Sequence, residues 1–293
     1  MNGGKLFSLE GKNAFVTGGA RGLGFAMACG LAEAGAAVFF NARSEKSVAE
    51  GLTDYRRRGV EARGYPCDVT DEEAVAALFS NLCGEYGAID ILVNNAGIIN
   101  RTPMTEMSAE EFRRVVDTDL TGPFIAAKAV IPLMIKRGGG KIINICGIMS
   151  EVGRETAAAY ASAKGGLKML TKNIAAEYGG CNIQCNGIGP GYMATALNES
   201  LREKMPDGTI NPFDRFIRAQ TPAGRWGDAA EDLAGPVVFL ASKASDFVNG
   251  QILYVDGGFL SYLGRSCGIT AGIKNIVLIR RCFRNFRIVI FDL

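Results

Sequence analysis

Tyr160 and Lys164 stand four residues apart in Tyr160-Ala161-Ser162-Ala163-Lys164, so on a helix both side chains emerge from one face as neighbours. A free phenol titrates near pH 10, and an adjacent ammonium stabilises the phenolate. Lowering that pKa by about two to three pH units needs roughly 3–4 kcal/mol of differential interaction. The pair is thus a candidate general acid/base. Other sources of such chemistry are few, because the 293 residues include no His. Zinc hydrolases of the HExxH type, Ser-His-Asp triads and Cys-His proteases all need imidazole and are excluded. By spacing alone, Tyr-x-x-x-Lys is also a common helix-surface pair, so its meaning depends on where the helix lies.

A second constellation binds rather than reacts. The apolar run 12–17 leads into Thr17-Gly18-Gly19-Ala20-Arg21-Gly22-Leu23-Gly24 and then into an apolar helical stretch. Gly18, Gly22 and Gly24 permit a tight turn and close backbone approach, which lets a pyrophosphate rest on the free N–H groups of the helix N-terminus. A glycine triplet alone is weak; between a strand and a helix at the start of an α/β chain it indicates a dinucleotide site. Such folds often place an acid at the end of the second strand for the ribose 2′-hydroxyl, but here Phe39-Phe40 runs into Asn41-Ala42-Arg43. Arg43 with Arg21 suits a 2′-phosphate, so NADP is expected over NAD; the bland alternative is two solvated arginines.

These residues need a frame. Short β-prone runs at 12–17, 36–40, 60–65, 89–93, 141–146, 182–187 and 251–255 alternate with helical patterns at about 22–34, 44–58, 71–86, 108–136, 158–178 and 228–241. Each helical stretch is long enough for a right-handed crossover, which implies an α/β, doubly wound parallel sheet of Rossmann-like kind in a single domain spanning 1–263. Ligands in such sheets bind at the carboxyl ends of the strands. Residues 195–226, with Pro206, Gly208, Pro212 and Pro222 among helix formers, read as a short lid insertion, or else as a plain surface excursion.

Thr17–Gly24, Asn94-Asn95-Ala96-Gly97, Tyr160-x-x-x-Lys164 and Pro190-Gly191-x-x-x-Thr195, in this order and spacing, resemble the short-chain dehydrogenases/reductases over about residues 7–263. The stretches 141–146, 165–172, 182–194, 221–228 and 239–258 are most similar to the gluconate 5-dehydrogenase group, with 2-deoxy-gluconate-type enzymes as near relatives. The resemblance implies that Tyr160 transfers the proton while Lys164 holds the nicotinamide ribose and lowers the phenol pKa. It implies that Asn95, Ala96 and Gly97 line the cofactor, that Asp68 and Val69 meet the adenine, and that Thr195 contacts the carboxamide end. Two positions depart from the family pattern. Asp119 stands where the family usually has Asn, and Gly147 where the catalytic Ser lies thirteen residues before the Tyr. Loss of one such hydroxyl donor typically costs about 10²–10³ in rate, and Ser150 is the nearby candidate to replace it. Arg101 and Arg154 are candidates to pair with a sugar-acid carboxylate, the alternative for each being a solvated loop arginine.

Composition bounds the rest. The chain is 48% hydrophobic and 21% charged, enough apolar material for a core and too little charge for disorder. Eight Cys are far below disulfide-scaffold density, and the close pair Cys181 and Cys185 has no second pair at zinc spacing, so no metal is expected. Residues 264–293 read as a basic, apolar C-terminal extension, poorly ordered by default. Arg265, Lys274, Arg280, Arg281, Arg284 and Arg287 oppose Asp292 alone, while the body is slightly acidic, which argues against nucleic acid as a partner. The N-terminus lacks an apolar h-region and no run approaches 18 continuous apolar residues, so a cytoplasmic location without a membrane partner is expected. The family's habit implies a homotetramer. The expected activity is NADP-preferring interconversion of hydroxyl and ketone on a sugar acid, gluconate with 5-ketogluconate as the specific pair. A catalytically impaired nucleotide-binding member is the alternative that Gly147 raises.

Overall fold

The computed structural model describes residues 3–264. After a short helix α1 (Gly3–Leu6), strand β1 (Asn13–Val16) enters the middle of a seven-stranded sheet, with Ala14, Phe15 and Val16 wholly buried. The elements then alternate: α2 (Gly22–Glu33), β2 (Ala37–Ala42), α3 (Glu45–Arg57), β3 (Ala62–Pro66), α4 (Glu72–Tyr86), β4 (Ile91–Asn94), α5 (Ala109–Val116), α6 (Gly122–Arg137), β5 (Gly140–Ile145), α7 (Ala158–Tyr178) and β6 (Ile183–Pro190). A pair of two-residue strands, β7 (Met193–Ala194) and β8 (Gly227–Asp228), brackets helix α8 (Pro212–Gln220), and α9 (Ala229–Ala241) leads to the last strand, β9 (Ile252–Val255).

The order across the large sheet is β3-β2-β1-β4-β5-β6-β9, with every pairing parallel. This is the doubly wound arrangement expected from the sequence. Because alternate side chains of a strand face opposite ways, β1 feeds two cores. Ala14 and Val16 pack with Met27 and Leu31 of α2 and Leu233 and Val237 of α9, whereas Phe15 packs with Phe79 of α4 and Ile125 and Val130 of α6. Chain direction across the sheet reverses between β1 and β4. The crevice outside their carboxyl ends is therefore the place for a ligand.

The helical run expected at 108–136 is a composite. The Ser108 side chain and Glu111 form a capping box that starts α5, and Asp117–Thr121 is a π-helical turn joining α5 to α6. Taken together, Ala109–Arg137 is long and apolar enough to cross a membrane by composition, but half of its most apolar window is buried and α6 packs on α4, β4 and β5, as a core helix does. Strand β6 runs on to Pro190, three residues past its expected end, in register with β9 (Pro190 opposite Val255). Proline is tolerated there because it is the last residue of the strand.

The insertion expected at 195–226 is closed at its base by the β7–β8 pair, in which Met193 lies opposite Gly227 and Ala194 opposite Asp228. Trp226 Nε1 donates to Asp214 Oδ1 at 2.6 Å, and Arg218 pairs with the same carboxylate at 2.8 Å, fixing α8. The described residues up to Leu260 form one compact unit. The expectation for the chain beyond Gly264 lies outside the described residues.

Candidate active site

The glycine loop is braced from three sides. Thr17 Oγ1 accepts from the backbone N–H groups of Asn95 and Ala96 at 2.9 and 3.0 Å, and the Asn95 amide donates to the carbonyls of Thr17 and Gly18 at 3.0 and 3.2 Å. Tyr55 Oη, buried, donates to Gly19 O at 2.7 Å. Asn41 accepts from Gly18 N and donates to Cys67 O at 2.7 Å, tying the loop to the end of β3. Gly24 is held so close that a Cβ there would stand 2.4 Å from the Asn95 amide nitrogen, and Gly18 has φ +63° against Ala96. No other residue fits at 24. Asn95, expected to line the cofactor, thus spends its side chain on the loop. Asn41 and Tyr55 were not singled out in the sequence, because their partners lie 23 and 36 residues away.

The helix the loop opens, α2, has no side-chain cap at Arg21 and no acid in its first turn, and Gly22, at φ +61°, faces open space. Free N–H groups with the positive end of the helix dipole fit a pyrophosphate. Arg21 and Arg43 are exposed at the ends of the loops after β1 and β2, and among the described residues neither forms an ion pair. Asp68 turns the chain after β3 by accepting from Thr70 N and Oγ1, while Val69 is buried against Gly122. Thr195, expected at the carboxamide, begins the helical turn Ala196–Leu201, its backbone N–H donating to Asn198 Oδ1 at 3.0 Å and its carbonyl accepting from Asn198 N at 3.2 Å.

Tyr160 and Lys164 lie on the first turns of α7, with Lys164 Nζ 5.4 Å from the centre of the Tyr160 ring. Lys164 is 3% exposed; its Nζ donates to Ile145 O at 2.9 Å and stands 3.1 Å from Asp119 Oδ2. The π-helical turn delivers this carboxylate, which is fully buried and whose Oδ1 accepts from Ile98 N at 2.7 Å. Gly97 passes against it: a Cβ there would be 2.7 Å from Oδ2. Burial raises the Asp119 carboxyl above the usual carboxylate range, against the pull of Lys164. Burial opposes the Lys164 ammonium, but the Tyr160 and Asp119 charges outweigh it and hold its pKa above the ordinary lysine value. For Tyr160, burial is the larger influence and raises the phenol despite Lys164, with Asp119 adding to the rise. The expected net lowering by Lys164 is therefore corrected: its ammonium pulls the phenol down, and burial plus the carboxylate outweigh it.

Gly147 follows β5 by two residues and lies beside the phenol, and a Cβ there would be 3.7 Å from Tyr160 Oη. Ser150 does not take over. Its Oγ is within hydrogen-bond distance of Gly147 O (2.8 Å) and Tyr254 Oη (2.9 Å), and Tyr254 in turn donates to Glu151 at 2.7 Å. The hydroxyl is spent on the loop.

Arg101 and Arg154 lie on the loops after β4 and β5, within electrostatic reach of each other. Thr102 N donates to Thr156 O at 3.1 Å, joining the loops after β4 and β5, and Thr156 has φ +64°. The Arg154 guanidinium lies 4.8 Å from the Phe213 ring centre and 5.5 Å from that of Tyr192, whose hydroxyl it also hydrogen-bonds. Desolvation and the like charge of Arg154 hold Arg101 below the ordinary arginine pKa, while Tyr192 and Tyr160 act on it in the opposite sense. Arg101 is thus within electrostatic reach of both Arg154 and Tyr160, while Arg154 packs on Tyr192 and on Phe213 of α8.

A parallel sheet with a dinucleotide cradle at its switch point and a Tyr-Lys pair on the helix after β5 defines a nicotinamide-dependent dehydrogenase/reductase. A family model described as Enoyl-(Acyl carrier protein) reductase matches residues 18–260, and the chain belongs to the short-chain dehydrogenase/reductase family, NAD(P)-dependent enzymes acting on CH–OH groups. The chain is 51% identical to a 2-dehydro-3-deoxy-D-gluconate 5-dehydrogenase of Formosa agariphila, over 89% of this chain and 97% of that one. The crystal structure of 2-keto-3-deoxy-D-gluconate dehydrogenase from Streptococcus agalactiae is 59% identical and superposes with a TM-score of 0.79, covering 89% of this chain and 98% of that one. A gluconate 5-dehydrogenase from Burkholderia cenocepacia, solved with NADP and tartrate, is 43% identical with a TM-score of 0.82, covering 89% and 99%.

Proposed function

We propose that the chain interconverts a secondary hydroxyl and a ketone on a sugar acid with NADP(H), gluconate and 5-ketogluconate being the specific pair. The observation that carries the substrate class is that Arg101 stands within electrostatic reach of a second cation, Arg154, and of Tyr160. Two converging guanidinium groups bear a repulsion that a carboxylate relieves, and a neutral polyol leaves it uncompensated. The Burkholderia relative, crystallised with NADP and the dicarboxylate tartrate, supports the same class.

The open N-terminus of α2 would hold the pyrophosphate, and Arg21 with Arg43 the 2′-phosphate, while Lys164 would reach the ribose. When bound, the nicotinamide supplies or accepts the hydride. The protein's part is acid–base and positional. The Tyr160 phenolate, stabilised by Lys164, takes the hydroxyl proton in oxidation and becomes the phenol, which gives the proton back to the carbonyl oxygen in reduction. Arg101 and Arg154 fix the carboxylate end, so the carbinol meets Tyr160 in one orientation. Gly147 contributes no hydroxyl to polarise that oxygen.

With purified full-length protein and NADP⁺, turnover of gluconate or 2-keto-3-deoxygluconate without turnover of sorbitol is the expected result. Equal rates on acids and neutral polyols would remove the carboxylate reading. Gly147 favours a second reading, a catalytically impaired nucleotide-binding or regulatory member, for which the expected result is micromolar NADPH affinity without oxidation of NADPH by any ketose acid.

A further inference from the structure

The Asp119 carboxylate is the charged group at this centre to which the proposed chemistry gives no task. Its burial is complete, and among the described residues Oδ2 has no hydrogen-bond donor, only the Lys164 ammonium 3.1 Å away. A π-helical turn, an uncommon interruption of a helix, is what brings it there, and Gly97 is the residue that leaves it room. We propose that Asp119 is a positioning residue, holding the Lys164 ammonium as half of a buried ion pair and placing the working range of Tyr160 to the alkaline side of the same site with a neutral residue at 119. This inference rests on the reading of Tyr160 as the acid–base group.

The geometry first fixes the lysine. Of its three N–H bonds, one goes to Ile145 O at 2.9 Å and one is drawn to Asp119, so a long, flexible side chain has a single placement with the ammonium 5.4 Å from the Tyr160 ring centre. Charge counting then fixes the direction. An ammonium beside a neutral phenol gains a counterion when the phenol ionises; an ammonium already paired with a carboxylate does not, and ionisation of Tyr160 leaves the set with a net negative charge in a buried site. The groups facing Tyr160 are Lys164 on its own helix, Asp119 from the π turn, Cys146 at the end of β5 and Arg101 from the loop after β4. Lys164 and Arg101 favour the phenolate, whereas Asp119 and burial oppose it. Cys146 is buried, which pushes its thiol up to about 11, so it stays neutral in the working range. Asp119 is therefore the fixed negative charge that a single substitution can remove, and Asn in its place keeps the Ile98 contact.

The test is the pH profile of NADP⁺-linked gluconate oxidation by the full chain, with Asp119→Asn and Tyr160→Phe alongside. Oxidation needs the phenolate, so removing the carboxylate should move the rising limb to lower pH by about one pH unit or more. A limb that stays in place while the rate changes equally at every pH assigns Asp119 a merely structural role and overturns the inference. Turnover by Tyr160→Phe overturns the underlying reading instead; with that variant inactive, an unmoved limb counts against Asp119 alone. If Asp119→Asn does not fold, the ultraviolet titration difference between the parent and Tyr160→Phe reads Tyr160 directly. The same reading in Asp119→Ser, paired with its own Tyr160→Phe partner, supports the inference where the phenol titrates lower than in the parent and overturns it where it titrates at the same pH or higher.

Discussion

A side-chain carbon built on Gly147 would stand 3.7 Å from the Tyr160 hydroxyl, and it would do so from a backbone at φ +76° and ψ 166°. The first number says that a serine here would carry its hydroxyl toward the acid–base group. The second says that an L-residue would be strained, by about 1–3 kcal/mol. Gly147→Ser is accordingly expected to raise kcat by about ten-fold or more through a restored donor to the substrate oxygen, while lowering Tm by a few degrees. Gly147→Ala should lower Tm alike without the gain. A serine variant with unchanged kcat and a full Tm loss would show that strain moves the hydroxyl away from the reacting oxygen.

Much of this centre was legible in the sequence. The glycine loop, the Asn95–Gly97 turn and the Tyr160–Lys164 pair are local patterns, each following a strand whose β-branched and aromatic run declares it, and the parallel order follows from the crossovers. What was hidden depends on distance or on single residues. The Asp119–Lys164 pair joins positions 45 residues apart, and nothing in the periodicity of 108–136 marks the π turn that creates it. Strands β7 and β8 are two residues each, too short for alternation to show, yet they close the base of the 195–226 segment. The positive φ of Gly147 was likewise invisible, since glycine is compatible with any backbone.

Arg43 follows β2 directly and precedes Ser44, which caps α3 by accepting from Ser47 N at 3.2 Å. That cap fixes the backbone from which the arginine projects. Arg43→Ala should weaken NADPH binding by about 1–3 kcal/mol and leave NADH nearly unchanged, because a charge-assisted phosphate contact is lost. Titration of both cofactors by fluorescence checks it; equal losses would assign Arg43 to something other than the 2′-phosphate.

Glu111 links the start of α5 to the Arg101 loop, accepting from Ser108 N at 2.9 Å and from the Asn100 amide at 3.0 Å. The Ser108 backbone N–H and then the Asn100 amide hold its carboxyl below the usual range. A group whose folded pKa is depressed stabilises above its unfolded pKa, about 4.3 for Glu, and the contribution fades as pH falls through the folded value. Parent and Glu111→Gln should therefore differ in Tm at pH 6–7 and converge on acidification. A gap that persists unchanged to acid pH would mean that the charge plays no part.

Arg154 is held by two aromatic faces, Tyr192 at the end of β6 and Phe213 on α8, and Tyr192 in turn packs edge-on against Trp226. Planar stacking and a fork of donors are properties of guanidinium that an ammonium lacks, so Arg154→Lys keeps the charge and loses both. If the stacked guanidinium receives the substrate carboxylate, kcat/KM for a sugar acid should fall by about 10–100-fold, the equivalent of one charge-assisted hydrogen bond, with little change for any neutral ketone that the enzyme reduces. The same substitution removes the stacked guanidinium from the face of Phe213, so α8 should loosen and limited proteolysis between residues 196 and 211 should quicken. The two readouts separate the roles. Faster cleavage with unchanged kcat/KM would make Arg154 a strut for the lid alone, whereas loss of kcat/KM confined to acidic substrates, with cleavage unchanged, would place it against the carboxylate without any part in holding α8.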